Sequence, residues 1–116
     1  MSKNVLFTGW NRVVPGKEAH AGELFASSIA FWTKRQEAGE IDSFEPVILS
    51  PHGGDMNGFF IVRGERAKLD KIQASDAWLE LSMRCGNILV GFGAITGYTN
   101  QGVQEIMGLW QKTIAS

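Results

Sequence analysis

Trp10 and Arg12 stand two positions apart in an apolar run, so an extended strand would turn both to one face. Arg63 closes a second apolar run, Phe59 to Arg63, expected to lie parallel and adjacent to the first. Two guanidinium groups beside one indole could grip a carboxylate or phenolate. The competing assignment pairs Arg63 with Glu65 or Glu45 on the surface and leaves Trp10 in the core. His52 lies in a turn-rich stretch with Asp55 and Asn57 nearby. A histidine there could act as a general base, oriented by the carboxylate, or could simply belong to a surface hairpin. Arg12 and His52 are therefore the candidate catalytic residues. His20 and Glu23 are one helical turn apart and, with His52, could supply three metal ligands. Two histidines and one cysteine are poor material for such a site, so no metal is expected.

Gly91-Phe92-Gly93-Ala94-Ile95-Thr96-Gly97 has the glycine content of a dinucleotide loop but the wrong spacing, and no helix follows it directly. Close packing is the expected use, and no cofactor is expected. Cys85 shares a predicted helix face with Trp78, Leu81 and Ser82, which makes it a small buried hydrophobe.

The composition narrows the functional classes. The chain has 116 residues, the length of one domain spanning 1–116. Hydrophobic residues make up 44% and charged residues 20%, an ordinary globular mixture. A formal net charge of −1 builds no basic field for nucleic acid or an anionic membrane. The lone Cys85 excludes an intramolecular disulfide and fits a reducing, cytoplasmic setting. No secretory segment and no membrane-spanning apolar stretch is expected.

The elements that must position these residues follow from pattern. Val5 to Val14 reads as one strand, ended by Pro15-Gly16. Lys17 to Ala38 reads as a helix with Ala21, Leu24, Phe25, Ser28 and Trp32 on one stripe, and Gly39 closing it. Phe44 to Leu49 is an edge strand because it contains Pro46; Phe59 to Arg63 is a central one. A short helix at Arg66–Gln73 is followed by a second, with Ser75 or Asp76 as its cap and Asp76 favoured. Gly86-Asn87 closes that helix, and Ile88 to Tyr98 is the fourth strand, with a glycine-rich face that invites close approach of a backbone or ligand. The last helix, Val103 to Ile114, presents Val103, Ile106, Met107, Trp110 and Ile114 as a stripe. Trp110 and Met107 are expected to bury against the sheet edge or a partner subunit.

Gln36-Glu37-Ala38-Gly39-Glu40-Ile41, Gly58-Phe59-Phe60-Ile61-Val62 and Asp76-Ala77-Trp78, within a β-α-β-β-α-β order, resemble the dimeric α/β-barrel superfamily. That group includes cofactor-free antibiotic-biosynthesis-type monooxygenases, stress-responsive barrel proteins and YCII-related proteins. The resemblance implies a ferredoxin-like α+β fold: an antiparallel sheet of order 4-1-3-2, helices on one face, and here an extra C-terminal helix. It implies a monooxygenase-like pocket walled by Trp10 and Trp78, with Arg12 as clamp. The chain departs from its relatives at chemical positions. Ser28 stands nearest the histidine of YCII-related proteins, with Asp76 matching their aspartate, and the second helix lacks the histidine of haem-degrading relatives.

The expected protein is a homodimer joined through its open sheet face, because strands apolar on both sides leave one face uncovered. Its expected ligand is a small aromatic or acidic metabolite, held by Trp10, Arg12, Arg63 and Trp78 between sheet and helices. A cofactor-free oxygenase or isomerase, and a dimerisation module without a ligand, are the alternatives.

Overall fold

The computed structural model describes residues 2–115. Four strands, β1 (Asn4–Trp10), β3 (Ser43–Ile48), β4 (Gly58–Gly64) and β6 (Gly93–Tyr98), form one sheet in the order β3-β4-β1-β6. All neighbouring pairs are antiparallel. Counting only these four strands, the order is 4-1-3-2, and the fold is ferredoxin-like and α+β, as expected. β2 (Arg12–Val13) and β5 (Leu89–Val90) pair separately as a short ribbon.

The period-two pattern decides which side chains meet the helices. In β4, Gly58, Phe60, Val62 and Gly64 are buried while Phe59, Ile61 and Arg63 are only half-buried. The register sets Leu6 opposite Val62 and Thr8 opposite Phe60 on the covered face. Against this face pack α1 (Glu18–Glu37), α2 (Arg66–Gln73) and α3 (Asp76–Ile88). Leu6, Val62 and Leu69 are fully enclosed; each such side chain contributes about 1.5–3 kcal/mol relative to exposure. Phe31, Trp32 and Trp78 form an aromatic cluster between α1 and α3, with ring centroids 4.9 to 6.0 Å apart.

The element ends have local causes. Lys34 and Arg35 lie in the last turn of α1, where cations complement the helix dipole, and Gly39 follows at φ +74°. Ser75, not Asp76, caps α3: its hydroxyl accepts the Trp78 amide at 3.3 Å, and Asp76 becomes the first helical residue. There its carboxylate still favours the positive end of the dipole.

Two expected strands are broken. The run from Val5 to Val14 divides at Asn11, whose side-chain oxygen accepts the Met56 amide at 3.0 Å and whose carbonyl accepts from the Asn57 side chain. These bonds turn the backbone away from β1 into β2. The run from Ile88 to Tyr98 divides as well. α3 continues through Ile88, β5 follows for two residues, and Gly91 turns the chain at φ +68° before β6 begins. Glycine adopts that conformation at little steric cost. The last helix, α4 (Gln101–Ala115), does not bury Met107 and Trp110 against its own sheet: they are 45% and 53% exposed.

Candidate functional site

A cavity of about 270 Å³ lies between the covered sheet face and the helices. β1 and β4 supply its floor through Thr8, Trp10 and Phe60, and α1 supplies one wall through the stripe Ala21, Leu24, Phe25, Ser28 and Trp32. Trp78, Leu81 and Cys85 of α3 form the opposite wall. The β2–β5 ribbon closes one end with Val13 and Leu89. The two strand breaks therefore have a spatial result, since each places a short strand across the end of the cavity. Gly22 also lines it, and a Cβ built there would meet nothing within 4 Å.

The lining is almost wholly apolar. Besides the indole N–H groups of Trp10, Trp32 and Trp78, its polar side chains among the described residues are Thr8, Ser28 and Cys85. The Ser28 hydroxyl donates to the Leu24 carbonyl at 2.8 Å, which leaves its oxygen as an acceptor. Burial pushes the Cys85 thiol up to about 11, with Arg84 opposing. The thiol is thus neutral at pH 7 and a weak nucleophile. Among the described residues, no carboxylate, guanidinium, ammonium or imidazole lines the cavity. Such a wall suits an uncharged ligand, because burying an unpaired charge is costly.

The residues singled out in the sequence separate into three places. Trp10 and Trp78 line the cavity. Arg12 does not: it pairs with Asp55 at 2.7 Å, its side chain 53% exposed, in an outer groove shared with His52. Trp10 and Ile48 line both spaces and separate them. Arg63 lies on the other face of the sheet. Because β1 and β4 run antiparallel, Arg63 sits opposite Val5, at the far end from Trp10, and approaches Glu45 at 3.4 Å. The expected grip of two guanidinium groups on one ligand is thus not assembled.

His52 is already engaged at both ring nitrogens. Nδ1 accepts the Gly54 amide at 3.2 Å, which assigns the proton to Nε2, 3.2 Å from the Met56 carbonyl. Its lone pair is held within its own loop rather than aimed at a substrate, and Asp55 is turned to Arg12 instead. His20 and Glu23 are exposed on α1, and among the described residues no three His, Cys, Asp or Glu side chains cluster as metal ligands would.

Sequence reasoning missed Thr8, Phe60, Leu81, Leu89 and Phe92 as cavity residues. The α1 stripe was the available signal: its five members all face the cavity, but a stripe alone does not distinguish a packed core from a hollow one.

No family model and no curated protein matches this sequence. Solved structures do match in shape. A protein from Bacteroides fragilis, described as dimeric, of unknown function and ferredoxin-like, superposes with a TM-score of 0.59 at 9% identity, covering 83% of this chain and 96% of that one. An ethyl tert-butyl ether (EthD) family protein from Bacillus halodurans gives 0.60 at 9% identity, covering 84% and 99%. SnoaB, a cofactor-independent oxygenase from Streptomyces nogalater, gives 0.54 at 16% identity, covering 85% and 93%. Among the described residues no helix is long and apolar enough to cross a membrane. The likeness is one of architecture: the chain has a ferredoxin-like fold.

Proposed function

We propose that this chain is a single-domain subunit of a cytoplasmic homodimer that holds a small, uncharged aromatic molecule between its sheet and helices. The observation that carries this reading is the cavity of about 270 Å³, whose walls are apolar and aromatic and, among the described residues, bear no charged group. Ligand pockets commonly begin at about 300 Å³, so this one suits a molecule of one or two fused rings. An acidic metabolite is disfavoured, since Arg12 is spent on Asp55 and Arg63 lies across the sheet.

The dimer half of the proposal rests on the uncovered sheet face. Val5, Phe7, Phe59 and Ile61 are half-buried there, and Ile95 is 68% exposed. A similar fold in Bacteroides fragilis is dimeric.

A cofactor-free oxygenase is the second reading, supported by the fold shared with SnoaB. Fold alone does not carry chemistry, and the cavity supplies no acid–base pair for it. The module without a ligand is disfavoured by the cavity itself.

Titration with naphthol and with naphthoate, followed by tryptophan fluorescence, tests the reading. Trp10, Trp32 and Trp78 report directly from the wall. Naphthol should quench saturably, naphthoate should bind at least about tenfold more weakly, and Arg12→Ala should change neither. Absence of saturable quenching by naphthol, or a preference for naphthoate, overturns the proposal.

A further inference from the structure

Helix α4 is fixed at its root and bare along its length. The Thr99 amide donates to the Lys3 carbonyl at 2.8 Å, and the Asn100 side chain donates to the Ser2 carbonyl at 2.7 Å. Lys3 reaches Glu105 at 2.7 Å, and Gly102 is buried against the Lys3 backbone. Asn100 makes the turn into the helix at φ 52°. Beyond this anchorage Val103, Met107, Trp110 and Ile114 are 44%, 45%, 53% and 65% exposed. At helical spacing those four lie on one side, with Ile106 beside them. The molecule is 52 Å along its longest axis, about twice the length of its seven-residue strands at about 3.4 Å per residue. Among the described residues, nothing buries this apolar stripe.

The surfaces available point to a second copy of the chain as the mate. The open sheet face is four strands wide and seven residues long, a footprint of about 450 Å² at about 4.8 Å between strands. A stable interface needs about 600–1,000 Å² from each partner. α4, with 15 residues, adds about 220 Å² at about 1.5 Å rise and about 10 Å diameter. Together the two surfaces reach the range of a stable interface. They are also continuous: β6 carries Ile95 on the open face and leads through Thr99 and Asn100 into α4.

We infer that α4 is a dimerisation arm, packing the Val103–Met107–Trp110–Ile114 stripe onto a second copy of this chain as the two sheet faces meet. The inference rests on the dimer proposed above and names a part of that interface that lies outside the sheet. A two-fold axis lets each arm lie on the other protomer, so both stripes are covered at once. The arm's own charges favour this placement. Glu105 is paired near the root, and Lys112 lies on the side of the helix away from the stripe.

Sedimentation equilibrium on the full chain tests it through three variants. Trp110→Glu should weaken the dimer by at least about 30-fold, as loss of a central aromatic anchor does. Its circular dichroism should remain native, because Trp110 touches little of its own protomer. Ile114→Lys should do the same, giving an independent second reading, and Lys112→Glu should leave the dimer intact. A dimer unchanged by Trp110→Glu and Ile114→Lys but dissociated by Phe59→Glu refutes the arm and leaves the sheet-face dimer standing. A wild-type chain that stays monomeric at about 100 μM, far above a micromolar dissociation constant, refutes both.

Discussion

Gly22→Leu is the substitution that most sharply tests the cavity, because stability and binding should move in opposite directions. Gly22 lies within α1, at the exposed rim of the cavity, with open space where a Cβ would be. Glycine in a helix interior costs about 0.8–1.0 kcal/mol relative to alanine, and leucine is nearly as good a helix former. The variant should therefore gain about 0.8 kcal/mol before any new apolar contact is counted. With an unfolding entropy of about 2.1 cal/mol/K per residue, 116 residues give about 0.24 kcal/mol/K, so Tm should rise by about 3 °C. From that rim the added side chain should obstruct the ligand's approach to the cavity. Naphthol quenching of tryptophan should fall at least about tenfold, the equivalent of about 1.4 kcal/mol. Thermal unfolding by circular dichroism and the fluorescence titration read the two effects independently. A fall in Tm of several degrees would mean that Gly22 is packed rather than open, since overpacking costs about 1–3 kcal/mol. A higher Tm with undiminished binding would place the ligand elsewhere.

Three further outcomes follow from particular contacts. Ser75→Ala should cost about 1 kcal/mol and Asp76→Ala less than half of that, because the Ser75 hydroxyl takes the Trp78 amide; urea unfolding of the two variants separates the cap from its neighbour. Trp78→Ala should cost about 3–5 kcal/mol, since the indole is 5% exposed and packed against Phe31 and Trp32; a loss below about 1 kcal/mol in the same assay would contradict the cluster's importance. The folded thiol of Cys85 holds its proton to about 11, above its ordinary value of 9.0, so the unfolded chain ionises first as pH rises. Stability should consequently be complete below pH 9 and decline between pH 9 and 11; Cys85→Ala should flatten that part of the profile.

The sequence carried the architecture further than the site. Periodicity marked the α1 stripe and the central strand β4, and Pro46 marked the edge strand β3, because burial imposes those patterns directly. The breaks at Asn11 and Gly91 were not legible. Both depend on bonds or clearances to residues distant in the chain, and the runs around them have ordinary strand composition. Arg63 was misplaced for a different reason. Its neighbour β1 runs antiparallel, so the register sends it to Val5 rather than Trp10, and strand parity turns it away from the helices. Trp10 and Trp78 do line the cavity, but the charges expected beside them do not. Composition reports how much apolar surface exists. Whether that surface closes on itself, or leaves room for a guest, is a property of assembled volumes.

Asn11 ties these distant parts together. Its amide donates to the Val90 carbonyl, its side chain takes the Met56 amide, and its carbonyl receives Asn57. A Cβ at position 91 would collide with the same side chain. A change at position 11 is therefore felt at once by the loop beside the outer groove and by the turn behind the cavity. Among natural variants, positions 11, 57 and 91 should change together or not at all. Each single replacement should be worse than the matched combination, a pattern of epistasis that a pairwise mutational scan would expose.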